Sequence, residues 1–326
     1  MEAIKGSINY HNHKRPSAVG LGNFDGLHKG HMELIGRLIS ESSGEGLNSV
    51  VYTFASHTEN ILRKKLFKPL LTTIDQKIRM LSETRLDFLC YDEFDEKFSR
   101  MRPDEFVRDI LVERFEIKLA VVGFNYRFGY RGAGNADLLI SLGGRFGFRV
   151  IIMPPVKYGD KVISSTLIRG YIAGGEVEKV LPMLGRYYTL RGTVDSGRKL
   201  GGGSIGFPTA NIYPQEHLAL PAGGVYITKT LIDGASLPSV TNIGFNPTVS
   251  DAGRYAVETH ILDFNGNLYG KTIEVEFIRK IRDEIKFGSI NELASGINND
   301  ITETRAYFNG CGVHCQFNND RSGGNA

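Results

Sequence analysis

The chain has 326 residues, 41% of them hydrophobic and 23% charged, with a formal net charge of +3. That length accommodates two cores, and the mild basicity suits anionic small molecules while falling short of what a nucleic-acid surface requires. No apolar run reaches the roughly 18 residues of a membrane span, Met1–Pro16 has no apolar stretch of the secretory kind, and three cysteines make no disulfide framework, so a cytoplasmic protein with neither membrane nor nucleic-acid partner is expected.

Strand and helix signals alternate through the first half. Ala18–Leu21 is a short apolar strand, and Leu34, Ile35, Leu38 and Ile39 then share one helical face. Ser49–Phe54 is β-branched and aromatic, as strands are. Ile74, Ile78 and Leu81 mark a helix. Pro103 opens another, with Phe106, Ile110, Leu111 and Phe115 on its inner face. Leu119–Val122 and Phe148–Met153 are further strands. This order predicts a parallel, doubly wound α/β sheet.

The pattern changes near Leu184. Short β-rich runs follow one another at Thr189–Val194, Gly224–Leu231, Ser239–Ile243, Tyr255–Asp263 and Thr272–Ile278. Asn265-Gly266, between the last two, predicts a hairpin. Regularly spaced short strands predict a small antiparallel barrel. A closing helix is expected over Asn291–Phe308, with Leu293, Ile297, Ile301 and Phe308 inward. The expected domains are 1–184 and 185–308, followed by a disordered polar tail, 309–326.

Gly20–His31 (GLGNFDGLHKGH) follows the first strand and opens the first helix. In open α/β sheets that is where phosphates bind, because glycines permit close backbone approach and the helix N-terminus favours anions. His28 and His31 are three positions apart and so lie on the same side of one helical turn. Two imidazoles there can donate hydrogen bonds to phosphate oxygens, though an H-x-x-H pair alone also fits a metal or a surface turn. Ile163–Gly170 (ISSTLIRG) offers Ser164, Ser165, Thr166 and Arg169 at the start of another helix. Such hydroxyls cap helices in any case; beside a phosphate loop they also fit the β- and γ-phosphates of ATP.

GNFDGLHKGH with ISSTLIRG resembles the H-x-G-H nucleotidyltransferase superfamily, and in particular the N-terminal module of the bacterial bifunctional riboflavin kinase/FMN adenylyltransferases. The resemblance implies a Rossmann-like domain that binds ATP through Gly22, Asn23, Phe24, Asp25, Gly26, His28, His31, Ser164, Ser165, Thr166 and Arg169. Gly123–Asn135 (GFNYRFGYRGAGN) is similar to that module's flavin-side loop, which implies Asn125 as a flavin contact together with His57. Two departures stand out: Phe54-Ala55-Ser56-His57-Thr58 lacks both prolines of the family's F-x-P-H-P, and Leu167 stands where the family has arginine.

The second half carries its own motif. Phe207–Asn211 (FPTAN) follows the glycine-rich Gly192–Gly206, offering backbone N–H groups for phosphate and two neutral oxygens, from Thr209 and Asn211, for Mg²⁺. No G-K-[ST] closes that loop, so it is not a Walker A motif. In Val257–Asp263 (VETHILD), Glu258 points opposite to Val257 and Thr259 on a strand, either to solvent or into the phosphate site as a base. Together with Asn242–Thr248 (NIGFNPT) and Ile281–Phe287 (IRDEIKF), these motifs resemble riboflavin kinase in order and spacing. The resemblance implies a six-stranded antiparallel barrel with a C-terminal helix. It also implies ATP at Gly197, Gly206, Pro208, Thr209 and Asn211, Mg²⁺ on Thr209 and Asn211, Glu258 as catalytic base, and flavin at Arg282 and Phe287. Gly202-Gly203 replaces the family's Gly-Arg, with Arg198 and Lys199 nearby.

The expected activity is phosphorylation of riboflavin to FMN, then adenylylation of FMN to FAD, with ATP as co-substrate and Mg²⁺ as cofactor. A kinase with a degenerate N-terminal module, and a flavin-binding regulatory protein without turnover, are the alternatives. Cys311, His314 and Cys315 in the tail are too few for a zinc site.

Overall fold

The structure, a computed structural model, describes residues 1–11, 14–55, 68–195, 207–214, 217–246 and 254–310. Residues 1–170, 182–185 and 217–219 belong to one compact unit, and the other described residues to a second. His57, Gly197, Gly206, Arg198, Lys199 and the tail with Cys311, His314 and Cys315 lie outside the described residues.

The first unit is built on six strands: β1 (Glu2–Lys5), β2 (Ser17–Leu21), β3 (Asn48–Phe54), β4 (Phe88–Asp92), β5 (Ile117–Gly123) and β6 (Arg149–Met153). They pair in parallel in the order β1-β4-β3-β2-β5-β6. Both faces are covered. Val19 and Leu21 pack with Phe106, Ile110, Leu111 and Leu139. Ala18 and Val51 pack with Leu34, Ile35, Leu38 and Leu81. Burial on both faces explains why the central strands β2 and β5 read as apolar runs. The helices supplying those residues are α1 (Lys29–Glu45), α2 (Ile74–Ser82) and α3 (Ala136–Phe146), plus the stretch after Pro103. A short hairpin, β7 (Lys157–Tyr158) and β8 (Lys161–Val162), precedes α4 (Ser165–Ala173).

The chain leaves β2 for β3 on one side, and β5 lies on the other. Loops leaving the carboxyl ends of β2 and β5 therefore diverge and open a crevice, the switch point at which such sheets bind ligands.

The stretch after Pro103 differs from a plain α-helix. It begins as one α-turn (Pro103–Glu105) and continues as a π-helix (Phe106–Val112), with the N–H of Glu113 donating to Arg108 O at 2.9 Å and that of Phe115 to Ile110 O at 3.2 Å. The wider turn brings adjacent pairs, Phe106-Val107 and Ile110-Leu111, into the core together.

The second unit is a closed barrel of β9 (Tyr188–Asp195), β10 (Ala210–Ile212), β11 (Gly224–Ile232), β12 (Ala235–Asn246), β13 (Arg254–Ile261) and β14 (Thr272–Arg282), in the order β10-β13-β12-β11-β14-β9. All its pairs are antiparallel. Its interior carries a row of buried hydroxyls: Thr228 Oγ1 meets Ser239 Oγ at 2.8 Å and Thr241 Oγ1 at 2.7 Å, and Thr241 meets Thr259 at 2.9 Å. Every member has a partner, so the row holds neighbouring strands in register without an unsatisfied group.

The hairpin expected at Asn265-Gly266 does not form. β13 pairs with β10 and β12, and β14 with β11 and β9, so the two strands flanking that dipeptide are not neighbours. Neither Asn265 nor Gly266 has positive φ, which the hairpin turn would require. The tight turn is Asp233-Gly234, with φ 49° and 85°, between the paired ends Ile232 and Ala235 of β11 and β12.

The closing helix α5 runs over Ile290–Gly310, two residues beyond the expected Phe308 and into the stretch read as tail. Its buried positions are Asp300 and Thr304, while Ile301 packs with Val225, Val240 and Leu262.

Candidate active sites

The first site forms at the end of β2. His28 is the N-cap of α1, and its Nδ1 accepts the backbone N–H of His31 at 3.3 Å. That acceptance leaves the proton of neutral His28 on Nε2. The two imidazoles stack, with centroids 3.6 Å apart and planes 16° from parallel. His31 Nδ1 is buried and has no hydrogen-bond partner among the described residues. Burial, then the neighbouring His28, then Lys77 hold the His31 pKa well below its ordinary value. Phe24 meets the His31 ring edge-on at 5.4 Å.

The loop itself is tightly bound. Phe24 and Leu27 take left-handed φ of 46° and 40°, and Gly26 takes 84°. A Cβ on Gly26 would come within 2.7 Å of Leu71 Cδ1, so glycine is required there for space as well as for φ. The Gly26 N–H donates to Thr72 Oγ1 at 3.1 Å, and the N–H groups of Leu71 and Thr72 donate to Asp25 Oδ1 at 2.9 and 3.2 Å. The second Asp25 oxygen accepts from Arg169 Nη2, whose Nε donates to Pro69 O at 2.6 Å. Asp25 and Arg169 are both buried. Two of the three Arg169 guanidinium nitrogens thus bond to protein groups that shape the loop. Ser165 Oγ donates to the Asp25 carbonyl at 2.9 Å, and Ser164 Oγ accepts the Leu167 N–H at 3.2 Å at the start of α4. Thr166 follows in the first turn of α4.

Asn125 lies on the exposed turn after β5, across the switch point from the loop carrying Gly22 and Asn23. Lys77 has no motif to announce it. It sits on α2, is buried, and its Nζ donates to Asn23 O at 2.8 Å.

The second site lies on the barrel's outer face. Glu258 is paired in register with Asn211 on β10 and with Asn242 on β12, so the three form one row across the sheet. Val257 and Thr259 are fully buried inside, as alternation requires, and Glu258 faces out. It is not a solvated face. A cavity of about 310 Å³ covers it, lined by Thr209, Asn242, Arg282, Phe287 and Leu293 among others. Burial, and then the charge of Glu284, raise the Glu258 pKa above its ordinary value. A second cavity of about 370 Å³ is lined by Val194, Pro208, Thr209, Asn265, Leu268 and Tyr269. Thr209 lines both cavities.

His260, two residues after Glu258, fixes the segment carrying Thr209: its Nδ1 is 2.9 Å from Pro208 O and its ring meets Phe207 edge-on at 5.8 Å. Arg282 grips Asp300 of α5 with both arms, Nε to Oδ1 at 3.0 Å and Nη2 to Oδ2 at 2.8 Å, and lies over the Phe287 ring at 5.5 Å. Asn242 and Glu284 fall inside recognised motifs, yet only the barrel's register and closure bring them to Glu258.

Two family models match the chain: FAD synthetase over residues 10–167 and riboflavin kinase over residues 184–308. The bifunctional riboflavin kinase/FMN adenylyltransferase of Buchnera aphidicola subsp. Schizaphis graminum is 34% identical over 95% of this chain and 99% of that protein. The protein of the same name from Listeria monocytogenes is 35% identical over 89% and 92%, and that of Escherichia coli 34% identical over 94% and 98%. A crystal structure described as a macrolide-efflux protein from Streptococcus pneumoniae superposes with a TM-score of 0.82 at 31% identity, over 93% of this chain and 98% of that one. Among the described residues no helix is long and apolar enough to cross a membrane.

Proposed function

Since the chain belongs to the bifunctional riboflavin kinase/FMN adenylyltransferase family, we infer that it makes FAD from riboflavin in two ATP-dependent steps. Residues 185–308 carry the kinase step and residues 1–184 the adenylyl transfer. In the first step the riboflavin 5′-hydroxyl attacks the γ-phosphorus of ATP, its proton passes to the Glu258 carboxylate, and ADP leaves. In the second, a phosphate oxygen of FMN attacks the α-phosphorus of another ATP, the bond to the bridging oxygen breaks, and pyrophosphate leaves.

The observation carrying the kinase half is the position of Thr209 between two cavities, one of which also holds Glu258. A phosphoryl group must pass from a nucleotide to an acceptor alcohol across such a wall. The raised pKa of Glu258, caused by burial and then by Glu284, makes its carboxylate a stronger base for the hydroxyl proton. Arg282 and Phe287 flank the acceptor cavity, where riboflavin would stack. Pro208 and Thr209 border the nucleotide side; Gly197 and Gly206, outside the described residues, are assigned to ATP from the family resemblance alone.

Mg²⁺ fits the kinase donor set. Thr209 and Asn211 offer neutral hard oxygens beside Glu258, and no group of three or more His, Cys, Asp or Glu side chains among the described residues could hold a metal. Thr209 and Asn211 would hold Mg²⁺ together with the nucleotide's phosphates. When bound it neutralises phosphate charge.

For adenylyl transfer, the N-terminus of α1, the Gly22–Gly26 loop and the imidazole of its N-cap His28 are the anion-binding candidates. Ser164, Ser165 and Thr166 supply hydroxyls, Asn125 and His57 the flavin side, and Asp25 and Arg169 the shape of the loop. A cytoplasmic location belongs to the same proposal, supported by Cys90, a buried free thiol. The test is isotopic. Label from γ-labelled ATP should appear in FMN when riboflavin is the acceptor, and label from α-labelled ATP in FAD when FMN is. Label in neither product would remove the proposal.

A further inference from the structure

The loop between β2 and α1 is held from beneath by the segment that opens α2. Leu71, Thr72 and Lys77 all bond to it, and Lys77 does so as a side chain almost wholly removed from solvent. A buried ammonium is costly and needs a reason. Satisfying the Asn23 carbonyl is not sufficient, because Thr53 Oγ1 donates to the same oxygen at 3.0 Å and a neutral side chain at position 77 would leave it bonded. Balancing Asp25 is not sufficient either, because that carboxylate accepts from Arg169 and two backbone N–H groups. Lys77 has three donors and, among the described residues, spends one on Asn23. The charge is in surplus over what the protein asks of it, and it lies beneath the loop that would meet polyphosphate.

We propose that Lys77 is a positioning residue for adenylyl transfer, its buried ammonium fixing the Asn23 carbonyl and setting a positive charge behind the His28–His31 turn that the polyphosphate of ATP compensates. This rests on the adenylyl-transfer reading of the first site. The facing charged and titratable groups are His28 and His31 at the start of α1, Asp25 in the loop and, bonded to Asp25, Arg169 on α4. Burial lowers the Lys77 pKa to about 8, with Asp25 opposing the shift, and Lys77 in turn helps to keep His31 uncharged. Nucleotide binding therefore favours the protonated lysine, and above pH about 8 the site loses that charge.

The experiment compares wild type, Lys77→Met and Lys77→Arg in the full chain. FAD formation from FMN is followed against ATP concentration and pH, with riboflavin phosphorylation by the same molecules as the control. The His31 titration midpoint is read by NMR. Lys77→Met should raise the KM for ATP in adenylylation by about tenfold or more, leave riboflavin phosphorylation unchanged, and move the His31 midpoint upward. Wild-type adenylylation should decline as pH rises through about 8, and Lys77→Arg should remove that decline. A Met variant with wild-type KM and an unmoved His31 midpoint overturns the proposal. If the Met variant does not fold, a decline in the Arg variant identical to that of wild type overturns it instead. A wild-type chain that makes no FAD from FMN would remove the adenylylation reading and this proposal with it, and the His31 midpoint distinguishes that failure from loss of the Lys77 coupling alone.

Discussion

Asn211 on β10 and Glu258 on β13 stand opposite each other in one register pair, with Asn242 on the far side of Glu258. The carboxylate is thus flanked by two amides and has no cation opposite it in the row. Glu258→Gln keeps the shape and removes the base. Riboflavin phosphorylation should fall by about 10²–10⁴ in kcat, while FAD formation from supplied FMN is unchanged. Chromatography of the two half-reactions checks this, and wild-type kinase turnover in the variant would rule Glu258 out as the base.

Glu284 is the second carboxylate acting on Glu258 and helps to raise its pKa. A base works deprotonated, so a raised pKa places the acid limb of the kinase profile at higher pH. Glu284→Gln removes the repelling charge, lowers the Glu258 pKa, and should move that limb to lower pH. A limb that stays in place or moves upward would show that Glu284 does not act on the base through its charge.

Arg169 and Asp25 form a buried ion pair between α4 and the phosphate loop. Removing one partner strands the other charge, at a cost of roughly 3–5 kcal/mol. Arg169→Ala should therefore lower the unfolding temperature of the first unit and abolish adenylylation, with riboflavin phosphorylation retained. Calorimetric unfolding tests it. Wild-type stability with only a raised KM for ATP would mean that Arg169 contacts phosphate directly.

Lys77 makes the opposite prediction for stability. Its folded pKa is about 8 against an ordinary 10.5, so between those values the unfolded chain binds more proton and stability rises with pH. Below that window the folded chain carries the full penalty. Lys77→Met should stabilise the protein at pH 7 by roughly 2–3 kcal/mol, with the gain fading toward pH 10.5. Denaturant unfolding at both pH values measures it. Destabilisation by methionine would identify Lys77 as a structural prop.

The chemistry was more legible than the topology. GNFDGLHKGH and FPTAN are local: the residues that meet are close in sequence, and a strand–loop–helix or a strand start presents them together. The barrel's closure was not local. Asn265-Gly266 satisfies every short-range rule for a hairpin, yet the strands beside it pair elsewhere, because closure places β14 between β11 and β9. Asp233-Gly234 makes the actual turn. β1 was invisible because EAIK buries only Ile4 and pairs along one edge. α3 was obscured by Gly143 and Gly144 within it. Lys77 could not be found from periodicity, since a lysine on an amphipathic helix reads as a solvated position until the fold buries it.

The most direct measurement is a chromatographic time course with purified protein, ATP, Mg²⁺ and riboflavin as the sole flavin. FMN should rise first and then convert to FAD, with ADP accumulating from the first step and pyrophosphate from the second. Riboflavin left unphosphorylated, or FMN that accumulates without FAD even when supplied directly, would contradict a chain that carries out both steps.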